Sequence, residues 1–282
     1  MERCGFDAAF GGRPGVMRAI LRTISGVLLW MGVGSARETW VVPERFTATP
    51  GATLRFELLS SASFYGSEPN ETVGKVARVW SRLGGGEPAS LALSDLVGKG
   101  VGFSATLSQP GMAAILVEFE PTNREFGSEQ WEAYLRGIHV GERARDAMAE
   151  GQTKRMVRER IIRRTQSFVR VGEPLDQEAR GRPQWGGMLE LVPVNDPVGL
   201  RVGEAFSVNV FQAGMPIEGR AVSFILAGER REHVVFSTSD GGAEVRLDAP
   251  GLWLVGCVDL RRSEGIEVDW LTEVSTMVIE VK

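Results

Sequence analysis

The sequence predicts a mainly β protein: two immunoglobulin-like or transthyretin-like β-sandwich domains with a short helical insert between them. Three observations carry this prediction. Ala249 to Leu260, APGLWLVGCVDL, is a Pro-Gly turn followed by an apolar run of the kind that forms a strand buried on both faces. Gln109 to Phe119, QPGMAAILVEF, repeats the same device. Between the two runs the apolar period changes from two to three and four, which marks helix.

In chain order, residues 1–36 read as a leader. Arg18 and Arg22 give a positive start, Ile24 to Val33 is a short apolar core, and Gly34-Ser35-Ala36 supplies small residues for cleavage. The apolar run is shorter than the roughly 20 residues of a membrane helix. The membrane is therefore expected to be met only through the leader, and the mature chain to be periplasmic or secreted. Met17 offers an alternative start to Met1. Removing the leader leaves the chain more acidic than its formal −4. That charge argues against a nucleic-acid partner, whose phosphates need a basic field. Cys4 leaves with the leader. Cys257, inside the apolar strand, reads as a packing thiol, so no disulfide or cysteine zinc site is expected.

Residues 37–125 form the expected N-terminal sandwich. Leu54 to Leu58 alternates apolar and polar, and Val76 to Leu83, Leu91 to Leu96, Val101 to Leu107 and the Pro110-Gly111 run are further strands, with a loop from Ser60 to Glu71. Residues 126–171 form the insert. Ser128 is the expected helix cap, and Trp131, Tyr134, Leu135 and Ile138 share one face. Gly137, Gly141 and Gly151 interrupt the pattern. Lys154 to Arg164 reads as a third helical piece with a basic face, and Gln166 to Val171 as a strand returning to the body. Residues 172–187, rich in Pro and Gly, read as a linker. Residues 188–282 form the C-terminal sandwich, with strands at Met188–Val192, Ala205–Val210, Ala221–Leu226, His233–Ser237, Ala243–Leu247, Ala249–Leu260 and Thr272–Val281. Asp240-Gly241-Gly242 carries a tight hairpin signal.

Several pieces together resemble the DUF4198 family of exported bacterial proteins. They are Trp40-x-x-Pro43-x-x-Phe46 with Pro50-Gly51; Trp131-x-x-Tyr134-Leu135; Arg158-Glu159-Arg160 with Arg163, leading into Phe168-Val169-Arg170-Val171-Gly172; Leu189-Glu190-Leu191-Val192-Pro193 with Asn195-Asp196-Pro197; Gly214-Met215-Pro216-Ile217; Pro250-Gly251-Leu252-Trp253-Leu254-Val255; and Asp269-Trp270. The resemblance implies an envelope accessory protein, since some members are described as periplasmic components of nickel or cobalt uptake. Metal-transport or TonB-type envelope components are then the implied partners. Family members commonly carry a His shortly before the Trp. Here the run is Ala36-Arg37-Glu38-Thr39-Trp40, and a guanidinium does not ligate a transition metal as an imidazole does.

No catalytic constellation emerges, so no catalytic, cofactor-binding or metal residues are assigned, no cofactor is expected, and the chain is expected not to be an enzyme. His139 and His233 lack neighbours at ligand or triad spacing, and no Gly-x-Ser-x-Gly elbow occurs, which leaves a hydrolase with a dispersed site as an alternative. Gly98-Lys99-Gly100-Val101-Gly102 lacks the order of a phosphate loop. Asp240, Glu264, Glu267 and Asp269 lack calcium-loop spacing. Trp253 and Trp270 read as core of the second sandwich. Trp80 and Trp185, if exposed, suit protein or carbohydrate contact, so an envelope protein- or glycan-interaction module is the second expectation.

Overall fold

The computed structural model describes residues 38–61, 74–83, 86–91, 102–140, 143–173, 184–229 and 231–282. The leader, the Arg37 start, residues 92–101 and most of the expected linker lie outside them.

The chain is mainly β and sandwich-like. Its centre is one ten-stranded sheet. The C-terminal half contributes β14 (Glu232–Phe236), β13 (Ala221–Leu226), β16 (Gly251–Arg262) and β17 (Trp270–Val281), in that order across the sheet. The N-terminal half continues it with β9 (Val157–Val171), β7 (Gly111–Phe119), β4 (Val76–Leu83) and β5 (Ala89–Leu91). Short β2 (Thr47–Ala48) and β8 (Thr122–Phe126) also pair with β9. Two smaller sheets pack on this one. The first orders β1 (Glu38–Pro43), β3 (Ala52–Ser61) and β6 (Gly102–Leu107). The second joins β10 (Leu189–Pro193), β11 (Ala205–Gln212), β12 (Met215–Pro216) and β15 (Gly242–Arg246).

The same strand plan therefore occurs twice. β5-β4-β7-β9 with β1-β3-β6 corresponds to β14-β13-β16-β17 with β10-β11-β15. The two Pro-Gly runs, β7 and β16, occupy equivalent interior positions. The halves meet where β17 and β9 pair in parallel, from Trp270↔Glu159 to Val278↔Ser167. Along β9, Val169 and Val171 face the first small sheet, with Val41, Leu54, Phe56 and Val117. Phe168, of opposite parity, joins the core of the second with Phe206, Phe224, Trp253 and Met277. The small sheets thus cover opposite faces of the large one.

β1 ties the halves together. Val41 packs in the N-terminal core, whereas Trp40 and Phe46 pack in the C-terminal core. The backbone of β1 is satisfied by hydroxyls of the large sheet: Val41 N donates to Thr165 Oγ1 (3.2 Å), and Thr276 Oγ1 donates to the Thr39 carbonyl (2.8 Å). These bonds answer the open edge that the strand would otherwise present.

Two helices, α1 (Ser128–Gly137) and α2 (Arg143–Thr153), form the insert between β8 and β9. Trp131, Tyr134, Leu135 and Ala147 pack with Phe126, Val157, Leu260 and Trp270. Trp270 therefore belongs under the helices and not in the sandwich core where it was expected. Gly127, and not Ser128, takes the N-cap position, and its N–H donates to Gln130 Oε1 (3.3 Å). Gly151 continues α2 instead of interrupting it. A Cβ there would stand 2.5 Å from Cδ1 of the fully buried Trp131, so glycine permits the close crossing of the two helices.

The third helical piece expected over Lys154–Arg164 is absent. Val157–Val171 is one 15-residue strand. Its inward positions include Val157, Glu159, Ile161, Arg163 and Thr165, all buried. Period two was present, but charged and hydroxyl side chains at three of those positions hid it. Asp240-Gly241-Gly242 makes a tight turn but no hairpin, because β14 pairs with β13 and β15 pairs with β11. The turn is an arch from one sheet to the other.

Candidate functional site

At one end of the C-terminal half, β16 outruns its neighbour. Its pairing with β13 stops at Val222↔Cys257, while its pairing with β17 continues to Arg262↔Trp270. The inward face of β16 reads Trp253, Val255, Cys257, Asp259, Arg261, so it turns from apolar to charged where β13 ends. Asp259 stands directly opposite Glu273, an unfavourable like-charge pair by itself. Arginines on either side neutralise it. Arg220 Nε lies 2.9 Å from Asp259 Oδ1, and Arg261 Nη1 lies 3.3 Å from Asp259 Oδ2 and 2.6 Å from Glu273 Oε2. Gln212 Nε2, from β11, donates to Glu273 Oε2 (3.1 Å). Burial works against the charge of Arg261, but its hydrogen bonds to the two carboxylates raise its pKa.

This chain of charges borders a cleft of about 510 Å³, whose walls include Met188, Gln212, Ile217, Arg261, Arg262 and Trp270. The Arg262 guanidinium lies 5.0 Å from the Trp270 ring centroid and 2.9 Å from Glu150. Gln212 Oε1 and Trp270 Nε1 are buried without a hydrogen-bond partner among the described residues. An unsatisfied buried polar atom costs about 1–3 kcal/mol. The arrangement can hold a polar guest with an apolar side. It shows no nucleophile paired with a base.

A second buried polar group lies under the insert. Glu159 is fully buried, and Oε1 accepts from Tyr134 Oη (2.6 Å) and from Thr272 Oγ1. Burial pushes its pKa up, against the opposing effect of the two hydroxyls. Folded Glu159 thus resists ionisation more than the unfolded chain does. Its stabilising contribution is complete below about pH 4.3, the ordinary value, and is lost as pH rises through the raised one. Glu159→Gln is accordingly expected to raise the protein's stability near neutrality, with the advantage vanishing near pH 4. Melting curves of both proteins from pH 4 to 8 test this; an advantage independent of pH would refute it.

The residues singled out in the sequence are mostly structural. His139, left-handed at the end of α1 (φ 51°), lies 3.2 Å from Glu232. His233 stacks on Trp253 (ring centroids 5.7 Å apart) and lies 3.4 Å from Asp248. Their carboxylate partners are thus on β14 and beyond β15, and the histidines form no shared site. Burial, then Asp259, pushes the Cys257 thiol up to about 12, so it is inert. Asp269 accepts from Lys154 Nζ (2.7 Å) and from Arg158 N (2.8 Å), which ties the insert to the end of β17. Partial burial acts against this, yet the two donors hold the Asp269 carboxyl below its usual value. Asp240 caps its own turn through Thr238 and Gly242 N, and Glu267 pairs with Arg160 (2.7 Å). No group of three or more His, Cys, Asp or Glu disposed to hold a metal occurs among the described residues. No helix among them is long and apolar enough to cross a membrane. The loop at Gly98–Gly102 lies outside the described residues except for Gly102.

The cleft network was missed in the sequence. Its one signal was Asp259, which has the same strand parity as Trp253, Val255 and Cys257 and so had to face inward.

No curated protein matches the chain. Among solved structures, the D0-D1 domain of intimin is 12% identical with a TM-score of 0.21, covering 85% of this chain and 97% of that one. A bacterial ice-binding adhesin is 8% identical (TM-score 0.23; 87% and 64% covered). Escherichia coli alpha-2-macroglobulin is 11% identical (TM-score 0.26), and the match spans 88% of this chain but only 20% of the macroglobulin. Scores this low carry no argument about what the chain does. The DUF4198 family, a domain of unknown function, matches residues 34–259, most of the length. The chain is a member of the DUF4198 family.

Proposed function

We propose that this protein is an exported, non-enzymatic binding or accessory protein of the bacterial cell envelope, made of two immunoglobulin-like or transthyretin-like domains fused through one sheet. The observation that carries the reading is the cleft beside Gln212, Arg261 and Trp270. Its charges neutralise one another and its unsatisfied atoms are a donor and an acceptor, which suits holding a guest more than transforming one. Export rests on the three-part leader in residues 1–36. A link to nickel or cobalt uptake, with metal-transport or TonB-type partners, rests on family membership alone.

Expression of the full chain in a Gram-negative host tests the location: the protein is expected in the periplasmic fraction with Arg37 at its N-terminus. Titration of that protein with nickel, cobalt and copper is expected to give weak binding at most, because Arg37 stands near the position of the family's histidine. Stoichiometric binding at micromolar concentration or tighter would move the protein to direct metal handling. Turnover on an ester, peptide and glycoside panel that disappears with a His233→Ala or His139→Ala change would overturn the non-enzymatic reading.

A further inference from the structure

The outer face of the N-terminal half, opposite the β1-β3-β6 sheet, carries a second arrangement. The register places Trp80 beside Leu116 and Leu116 beside Gln166, so the three stand in one row across β4, β7 and β9. Neighbouring strands are about 4.8 Å apart, which sets Trp80 and Gln166 roughly 10 Å apart. Trp185 lies over the far end of the row, its Nε1 donating to Gln166 Oε1 (3.2 Å). Trp80 Nε1 donates to Glu118 Oε2 (3.0 Å). Both indoles are half-buried, and each is fixed in direction by an oxygen carried on the sheet. Fixing the rings beforehand lowers the entropy lost on binding.

The groups around the rings are polar. Arg82 stacks on Trp185, 4.6 Å from its centroid. Arg164 Nη2 lies 2.6 Å from Glu118 Oε1 on the opposite side of the row. Gly187 lets the backbone pass Arg164, because a Cβ there would collide with the guanidinium. None of the exposed large apolar side chains among the described residues belongs to β4, β7 or β9. A protein-docking patch has an apolar centre that excludes water. Here the Leu116 between the two flat rings is itself buried, and hydrogen-bonding and charged groups flank the rings. That combination matches the chemistry of a sugar chain, whose C–H faces lie on aromatic rings and whose hydroxyls take carboxylate and guanidinium partners.

We infer that the row from Trp80 to Trp185 is a binding platform for an extended, β-linked glycan, with one sugar ring on each indole and Glu118 and Arg164 taking the hydroxyls. The platform rests on the binding-protein reading above and names a ligand class for a face separate from the cleft.

Calorimetric titration of the full chain with tetramers of β-1,4-linked glucose and of β-1,4-linked N-acetylglucosamine tests it. At least one tetramer is expected to bind saturably. Trp80→Ala and Trp185→Ala should each weaken it by about tenfold or more. Trp80→Phe, which keeps a ring but loses the bond to Glu118, should weaken it less and guards against a folding defect. Phe236→Ser, on the exposed edge strand, should bind as the unaltered chain does. Binding of neither tetramer, or binding that ignores both tryptophans, overturns the platform. Capture of a protein that is lost with the tryptophan variants, with no tetramer bound, also overturns it while leaving the binding-protein reading in place. Tetramer binding by a chain that stays in the cytoplasm would leave the platform standing and overturn the export reading.

Discussion

Asp259→Ala is expected to lower the unfolding free energy by about 3–5 kcal/mol. Asp259 is 1% exposed and sits between Arg220, itself largely buried, and Arg261. Removing the carboxylate takes the 2.9 Å ion pair from Arg220 in the sandwich wall and leaves Arg261 paired with Glu273. The desolvation of the arginine then loses its main compensation, which is why breaking a buried pair costs far more than breaking an exposed one. Replacing both partners, as in Asp259→Leu with Arg220→Met, should recover most of the loss, since neither charge of that pair remains to be buried. Urea unfolding of the three proteins gives the comparison. A single-variant loss under about 1 kcal/mol, the range of surface pairs, would show that water reaches the pair freely.

Gly241→Ala should cost about 3 kcal/mol, from two separable sources. Gly241 has φ +81°, a conformation that costs an L-residue about 1–2 kcal/mol. Its missing Cβ would also lie 2.6 Å from the Val210 carbonyl oxygen, a backbone atom held in place by strand pairing. Val210 N donates to the Gly241 carbonyl (2.8 Å), so the arch cannot move away without giving up that bond. Gly219 supplies the control. It has φ +71° and open space around its Cβ position, so Gly219→Ala should lose only the conformational part. Chemical unfolding midpoints of the two variants separate the terms. Equal losses would mean that the arch relaxes and that the close approach to Val210 is unimportant.

The sequence showed most strands of the C-terminal half within a few residues, because there turn residues and apolar runs agree. β16 was legible from its Pro-Gly launch and its inward Trp253, Val255 and Cys257. β9 was not, because its inward positions include Glu159, Arg163 and Thr165. Each has a partner distant in sequence: Thr272 bonds to Glu159, Thr122 to Arg163 and the Val41 amide to Thr165. No local window contains those partners, so apolar periodicity read helix. The same reason hid the cleft, where Gln212, Arg220, Asp259, Arg261 and Glu273 meet only after β16 has paired with β17 and the sheet of β11 has packed against them. Asp240-Gly241-Gly242 was legible as a turn. Which sheet receives the next strand is a tertiary property that turn chemistry does not encode. Trp80 and Trp185 were visible as candidates, but their common row depends on the registers of β4, β7 and β9.

The contact between β1 and β17 also sets a timetable. The Thr39 carbonyl takes its hydrogen bond from Thr276, 237 residues later. During synthesis the first strand therefore emerges from the ribosome long before the last. Trp40 and Phe46 must wait for a C-terminal core that has yet to be made. Contacts this remote in sequence slow folding, because a large loop must close before they form. The chain is thus kept from reaching its final state until β17 has been made. That delay is what a polypeptide needs if it is to be threaded across a membrane before it folds.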